Sequence, residues 1–331
     1  MTSTAGGIAP WDGADGVWLR CQFHAHTTES DGWLSPEMLR RYHAQAGYDV
    51  LAITDHDRLT EIPAPHRSHG GDDGLLVIGG TELSLKSPES GGPLHVLGIG
   101  VDVMPQIRDE QTSTLAEAAA AIRGAGGLAY IAHPWWSGHR ADELGDFSGV
   151  TGVEVFNAGC ETEQGRGNSE AQWDLWLSAG HRLTAIAADD LHTPGFESFR
   201  AWTMVHAAER SREAVLAALA AGRSYATTGP RISTIAVDGE ALHVRSTPAR
   251  SITVLAQPPY GARVNAGHHE IAFFGSRLAT ADGHGGEGII EGDWLTGADF
   301  PRLAGAAGLR YVRVVVTDPH GRSAWSNPIW L

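Results

Sequence analysis

Imidazoles and carboxylates recur in this chain at the ends of short apolar runs, a placement that suits metal-ion chemistry. His24 and His26 follow VWLRCQF, with Asp31 just beyond; His56 follows DVLAIT, and Glu82 lies in LLVIGGTEL. His95 is near the start of LHVLGIGV, His133 ends GLAYIAH, and Asp190 and His192 follow LTAIAAD. Each piece alone has an ordinary explanation. A His-x-His pair on a strand points both rings one way, which suits chelation, but a solvent-facing pair does the same. Asp31-Gly32 reads as a turn, His133-Pro134 as a strand terminator and TDHD as a polar loop. Nine such residues, eight of them at or just past successive strand ends and His95 the exception in position, are better explained by convergence on metal ions. Imidazole and carboxylate without thiolate suit Zn, Mn or Fe. Two or three divalent ions lower the pKa of a bridging water and neutralise charge on the attacked group, so the expected reaction class is hydrolysis. There is no G-x-S-x-G nucleophile elbow.

The elements that must position these residues alternate. From about 17 to 206, near-continuous apolar runs, AWTMVHA being the last, are separated by helix-like stretches, the pattern of a parallel sheet covered on both faces. Ser35-Pro36 caps one helix, Thr114 with Glu117 forms a capping box, and Ser211 caps a third. An α/β sheet or barrel follows, and in a parallel barrel the strand C-termini share one face. After GRSYATTGP the pattern changes to apolar/polar alternation between turns, which predicts an antiparallel β-sandwich. The expected division is a lead-in at 1–16, a barrel at 17–230 and a β-domain at 231–331. His268, His269 and His284 in the latter read as solvent-exposed, and LATADGHGGEGIIEGDW as an irregular loop.

The chain has 331 residues, 42% of them hydrophobic, enough for more than one domain. With 24 Lys and Arg against 39 Asp and Glu, its formal charge of -15 opposes sequence-independent coating of nucleic acid. Two cysteines, Cys21 and Cys160, indicate no disulfide framework and fit a reducing compartment. Neither a signal peptide nor an apolar membrane span is read, so a cytoplasmic protein acting on a small molecule is expected. The oligomeric state is not legible.

In order and spacing, HAHTTESDG, ITDHD, GTE, HVLG, IAHP and DDLH resemble the PHP (polymerase and histidinol phosphatase) superfamily. The resemblance covers roughly residues 17 to 206 and implies a distorted (β/α)7 barrel with a di- or trinuclear metal centre. It implies one ion on His24, His26, Glu82 and Asp190, a second on Glu82, His95 and His133, and a third on Asp31, His56 and His192. Glu82 would bridge the first two, and Glu82, Asp190 and His192 would be the catalytic ligands. Several relatives have a histidine where this chain has Asp31, which bears on the third ion. AALAAGRSYATTGP and the C-terminal VRVVVTDPHGRSAWSNPIWL further resemble the PHP branch with an appended β-domain, which includes carbaryl-hydrolase-like metallohydrolases.

Most PHP relatives favour a phosphate ester. Such a substrate calls for cationic clamps, and Arg58, His139, Arg140, Arg166 and Arg200 lie in or near loops after strands. A carbamate or aryl ester is the rival, with Trp135 and Trp136 placed either to hold an aromatic group or simply to pack. Asp55, Asp57 and Asp189 flank ligand positions, where they either orient imidazoles or serve turns. A metal-stabilised binding module without catalysis is the reading from another class.

Overall fold

Every apolar run from 17 to 207 forms a strand: β1 (Val17–Gln22), β2 (Val50–Ile53), β3 (Leu76–Lys86), β4 (Pro93–Ile99), β5 (Leu128–Ile131), β6 (Val150–Asn157), β7 (Thr184–Ala188) and β8 (Trp202–Ala207). The computed structural model describes residues 15–61, 74–140, 142–238, 241–266, 271–274, 287–300 and 308–331. The chain divides into two compact units, one of Gly16–Ala221 and one that includes Gly222–Leu331.

In the first unit β1, β2 and β3 pair in parallel, as do β5, β6 and β7. The expectation of an all-parallel sheet fails at two strands. β4 is antiparallel to both β3 and β5, and β8 is antiparallel to β1. The two ends of this sheet meet. The Thr203 hydroxyl of β8 takes the Ala187 N–H and donates to the Ala187 carbonyl of β7. Past the strand ends, His26 N–H donates to Leu191 O and Asp190 N–H to His24 O, each at 3.0 Å.

Both faces of these strands are apolar because both are covered. Leu19, Cys21, Phe23, Val50, Ala52, Leu97, Ile99 and Tyr130 pack in one buried cluster with Val215, Ala218 and Leu219 of α6 (Arg212–Ala220). The alternate residues Leu51 and Ile53 pack with Leu39 of α1 (Pro36–Gln45). Arg212 donates to Gly100 O just past β4 and to Gly126 O just before β5, so α6 is anchored at the end of the strands away from His95. The caps form as the sequence predicts. The Ser35 hydroxyl accepts from Met38 N, Ser211 from Ala214 N, and Thr114 and Glu117 complete a reciprocal box at α2 (Leu115–Gly124). Each such cap is worth about 1 kcal/mol. Three further helices follow β5 and β6: α3 (Pro134–Ser137), α4 (Ala158–Gln164) and α5 (Glu170–Ala179).

The second unit contains β9 (Ser224–Thr227), β10 (Ile232–Asp238), β11 (Ala241–Ala249), β12 (Ser251–Leu255), β13 (Gly261–Ala266), β14 (Ile271–Phe274), β15 (Glu287–Glu291), β16 (Trp294–Phe300), β17 (Tyr311–Thr317), β18 (Ser323–Ser326) and β19 (Ile329–Trp330). Among the described residues its strands pair antiparallel, in one layer β10-β11-β16-β15 and another β14-β13-β12-β17-β18-β9. β12 and β13 pack against β16, so the two layers face each other. His268, His269 and His284 lie outside the described residues, as do 278–286 of the stretch expected to be an irregular loop; the rest of that stretch is not an irregular loop, because Glu287–Glu291 form β15 and pair with β16.

Candidate metal centre

The side chains come together because strand direction and strand ends coincide. His24 and His26 extend β1 on one side of the buried Ala25, with ring centroids 5.1 Å apart. Glu82 lies in β3 beyond its last pairing with β2, Ile53 to Gly79, and faces His56 through an isolated bridge. His95 opposes Ser84 near the start of β4. Because β4 runs backwards, its start lies beside the ends of β3 and β5, where His133 follows. The antiparallel strand thus explains why a histidine at the beginning of a run joins residues at the ends of the others.

Glu82 is the junction. Its Oε2 lies 3.1 Å from His24 Nε2, 3.2 Å from His26 Nε2 and 3.4 Å from His56 Nδ1. Its Oε1 lies 3.0 Å from His95 Nδ1 and 3.2 Å from His133 Nε2. Asp190 Oδ1 completes the first group at 3.0 Å from His24 Nε2 and 3.1 Å from His26 Nε2. Asp31, with a side chain 54% exposed, sits 3.4 Å from His192 Nε2, 3.7 Å from His56 Nε2 and 3.5 Å from His26 Nδ1. The structure therefore draws all nine sequence-predicted residues together. Three sets of donor atoms each fit within 4.8 Å: His24, His26, Glu82 and Asp190; His26, Asp31, His56 and His192; and His56, Glu82 and His95. The grouping implied by the resemblance differs in detail, since His56 also approaches Glu82 and His26 also approaches Asp31.

These donors suit a cation. In the first set, the two imidazole nitrogens are themselves 3.1 Å apart. Asp190 Oδ1 and His95 Nδ1 are buried at 3.0 Å from facing atoms yet lack hydrogen-bond geometry. Lone pairs that converge without a proton between them are what a shared ion satisfies.

The charges point the same way. Burial pushes the His24 imidazole down, but Asp190, Glu82 and Glu154 outweigh it and hold it well above its ordinary value. Burial likewise opposes, and carboxylates win, at His26 and His95. His192 goes up to about 9 against its own burial because it bonds Asp31 and faces Asp190. Burial would raise the carboxyls of Glu82 and Asp190, yet the surrounding imidazoles hold both well below the usual carboxylate range. The cluster thus demands positive charge, which protons or metal ions supply in competition.

Two members carry strained backbone. His133 has φ 29° and Asp190 φ 53°, in the left-handed region that ordinary side chains avoid. His133 N–H donates to Glu154 Oε2 at 2.8 Å, and Asp190 Oδ2 accepts from Asn157 Nδ2 at 3.0 Å.

Those two partners are what sequence reasoning missed. Glu154 is fully buried in β6, where its Oε1 takes His24 Nδ1 at 3.0 Å and its Oε2 also takes Asn157 Nδ2 at 2.8 Å. A lone carboxylate inside the apolar run GVEVFN was the available signal. By contrast, Asp55, Asp57 and Asp189 hold backbone and loops. Asp55 accepts from Thr27 N–H, Ser30 Oγ and Thr60 Oγ1, fixing the loop that bears Asp31. Asp57 accepts from Ser84 N–H, and Asp189 from the N–H groups of Phe199, Arg200 and Ala201.

A cleft of about 300 Å³ opens over the cluster, lined by Asp31, His56, Glu82, His95, His133, Trp136, Gly159, Cys160, Glu163, Asp190, His192, Thr193 and Glu197. Its described lining contains no Arg or Lys. Arg58 pairs with Glu29 at 2.9 Å and Arg140 with Glu89 at 2.7 Å. Arg166 lies over Trp135 at 5.8 Å, and Arg200 is exposed. His139 is no cation at neutral pH, because burial pushes it down to about 4 despite Glu143. Trp136 meets the His133 ring edge-on at 4.9 Å, while Trp135 is 44% exposed and outside the lining. Glu197, another residue the sequence reading passed over, accepts from the N–H groups of His192 and Thr193.

Strands wrapped into a ring, with imidazoles and carboxylates gathered over one end, define an α/β protein with a candidate metal centre. No family model matches the chain. Over 79 residues it is 39% identical to a phosphoribosyl 1,2-cyclic phosphate 1,2-diphosphodiesterase of Eggerthella lenta, covering 24% of this chain and 30% of that protein. Over 89 residues it is 38% identical to the 5'-3' exoribonuclease Rnm of Salmonella typhimurium, covering 26% of this chain and 29% of that one. The matches thus span under a third of these relatives. A two-domain protein of Bacteroides vulgatus, described as containing a predicted PHP-like metal-dependent phosphoesterase, shares the fold with a TM-score of 0.50 at 17% identity, over 95% of this chain and 97% of that chain. The chain thus shares the fold of that two-domain protein and, over about a quarter of its length, local sequence with the two enzymes. Among the described residues no helix is long and apolar enough to cross a membrane.

Proposed function

We propose that the chain is a metal-dependent phosphoesterase acting on a small phosphorylated substrate, a phosphomonoester, phosphodiester or nucleotide. The observation that carries this reading is the division of Glu82, one oxygen toward His24 and His26 and the other toward His95 and His133, beneath an open cleft. Such a carboxylate suits two cations side by side, an arrangement matched to phosphoryl oxygens. The relatives' names, a phosphodiesterase and an exoribonuclease, both describe cleavage of phosphate esters. We take 17–230 as the metallohydrolase domain, a distorted (β/α)7 barrel, 231–331 as the β-domain, and 1–16 as its lead-in. Membership of the carbaryl-hydrolase-like branch is part of this proposal.

His24, His26, Glu82 and Asp190 would hold one ion, Glu82, His95 and His133 a second, and Asp31, His56 and His192 a third; Mn, Zn and Fe suit the donors. Bound divalent ions would supply Lewis acidity and a water of lowered pKa. The chain's own residues do the positioning. Glu154 takes the proton on His24 Nδ1, which leaves Nε2 with its lone pair toward the cluster. Asp55 fixes the Asp31 loop and Glu197 the His192 backbone, so the cleft mouth keeps its shape. Trp136 packs on His133 and shields it from water.

A carbamate or aryl ester substrate is the second reading, favoured by a described lining without Arg or Lys and with Trp136 in it. The test offers 4-nitrophenyl phosphate, bis(4-nitrophenyl) phosphate, a nucleotide and an aryl N-methylcarbamate to protein reconstituted with Mn or Zn, alongside metal analysis. Turnover of one or more phosphate esters is expected. Turnover of the carbamate alone would favour the second reading, and metal-loaded protein silent on all four would point to a binding module.

A further inference from the structure

Glu163 contributes a carboxylate to the lining of a cleft whose described lining has no Arg or Lys. It lies in the last turn of α4 and lines the cleft, exposed to solvent. A carboxylate there works against its own helix, whose C-terminal end carries partial negative charge. Its carboxylate takes no hydrogen bond or ion pair among the described residues, so neither helix stability nor a structural partner accounts for it. Of the other lining carboxylates, Asp31, Glu82 and Asp190 face imidazoles and Glu197 holds backbone N–H groups. Glu163 is the one left facing the cleft.

An ionised carboxylate only accepts hydrogen bonds, so the substrate group that meets it must donate: a sugar hydroxyl, an amine or another cation. A second phosphate at that place would face like charge with no guanidinium or ammonium in the described lining to offset it. A volume of about 300 Å³ is at the small end for ligand clefts, which leaves little room to separate the two charges. We infer that Glu163 is a specificity-determining residue, which selects esters with one phosphoryl group on a hydrogen-bond-donating organic portion and rejects substrates carrying a second phosphate. The inference rests on the phosphoesterase reading above.

The experiment compares adenosine mono- and diphosphate on the metal-loaded full-length wild type, Glu163→Gln and Glu163→Lys, by turnover and by calorimetric binding. The wild type is expected to prefer the monophosphate in kcat/KM. Glu163→Gln should shift that preference toward the diphosphate by about fivefold, and Glu163→Lys by about twenty-five-fold, as expected for removing and then reversing one charge near the second phosphate. The shift should fall on KM rather than kcat. A preference that stays within twofold of wild type in both variants overturns the inference. If no variant turns over either nucleotide, the phosphoesterase reading fails for these substrates, and the ratio of binding affinities still decides the role of Glu163 by the same criteria.

Discussion

Replacing Glu154 with Gln changes no volume and leaves the strand intact, yet it should disable a metal ligand through tautomer control. The two oxygens of Glu154 face different partners. Oε2 takes two donors, His133 N–H and Asn157 Nδ2, both at 2.8 Å. Oε1 takes His24 Nδ1 at 3.0 Å. A glutamine must keep its oxygen at the Oε2 position, because an NH2 there would face two donors. Its NH2 then points at His24 Nδ1, which becomes the acceptor, and the ring proton moves to Nε2, the atom that must coordinate. Loss of this kind of support costs about 10–100-fold in metal affinity, or roughly 1.4–2.7 kcal/mol. Competition of the apo-protein with a chromophoric chelator at pH 7 measures the affinity, and nitrogen NMR shifts of His24 report the tautomer. A Glu154→Gln variant that binds metal within twofold of wild type would refute the reasoning.

Two other outcomes follow from separate parts of the fold. His43 is buried, with Nδ1 bonded to Leu39 O and Nε2 unpartnered, and burial pushes its imidazole down to about 4. Since an unfolded histidine titrates near ~6.5, the folded state binds fewer protons between ~6.5 and ~4, and stability falls by roughly 3 kcal/mol as pH drops through that window. Denaturant unfolding at pH 7 and pH 4 should show His43→Leu losing about 3 kcal/mol less than wild type over this range, and equal losses would refute the assignment. Asp31→Ala should release about one equivalent of metal while His24, His26, Glu82 and Asp190 keep theirs, because Asp31 approaches only the His26, His56 and His192 set; unchanged stoichiometry in metal analysis would remove Asp31 from the ligand set.

What the sequence disclosed and what it concealed divide along physical lines. Strand positions were legible because each run is apolar on both faces, and Leu51 and Val50 show why: they pack into different clusters. Helix starts were legible because Ser35, Thr114 and Ser211 act through hydrogen bonds three residues away. Strand direction was not, since hydropathy has no sign along the chain, and so β4 had to be seen before His95 made sense. The roles of Arg58 and Arg140 were hidden because they are set by Glu29 and Glu89, partners 29 and 51 residues distant. Glu154 stayed hidden for the opposite reason: one charged residue in an apolar run looks like an exposed position until a buried imidazole is found against it.

The left-handed backbone at His133 and Asp190 was equally hidden in the sequence. Neither glycine nor asparagine marks these positions, so nothing local announces φ 29° and φ 53°. Strain of this kind persists only where surrounding contacts over-determine it. Here Glu154 accepts the His133 N–H, Asn157 holds both Glu154 and the Asp190 carboxylate, and the Asp190 N–H is tied to His24 O. Glu154 and Asn157 therefore do two tasks at once: they orient donor atoms and restrain the turns that carry them. A change at either should loosen two members of the cluster together, which is why the sequence positions least suggestive of chemistry hold the geometry of those most suggestive of it.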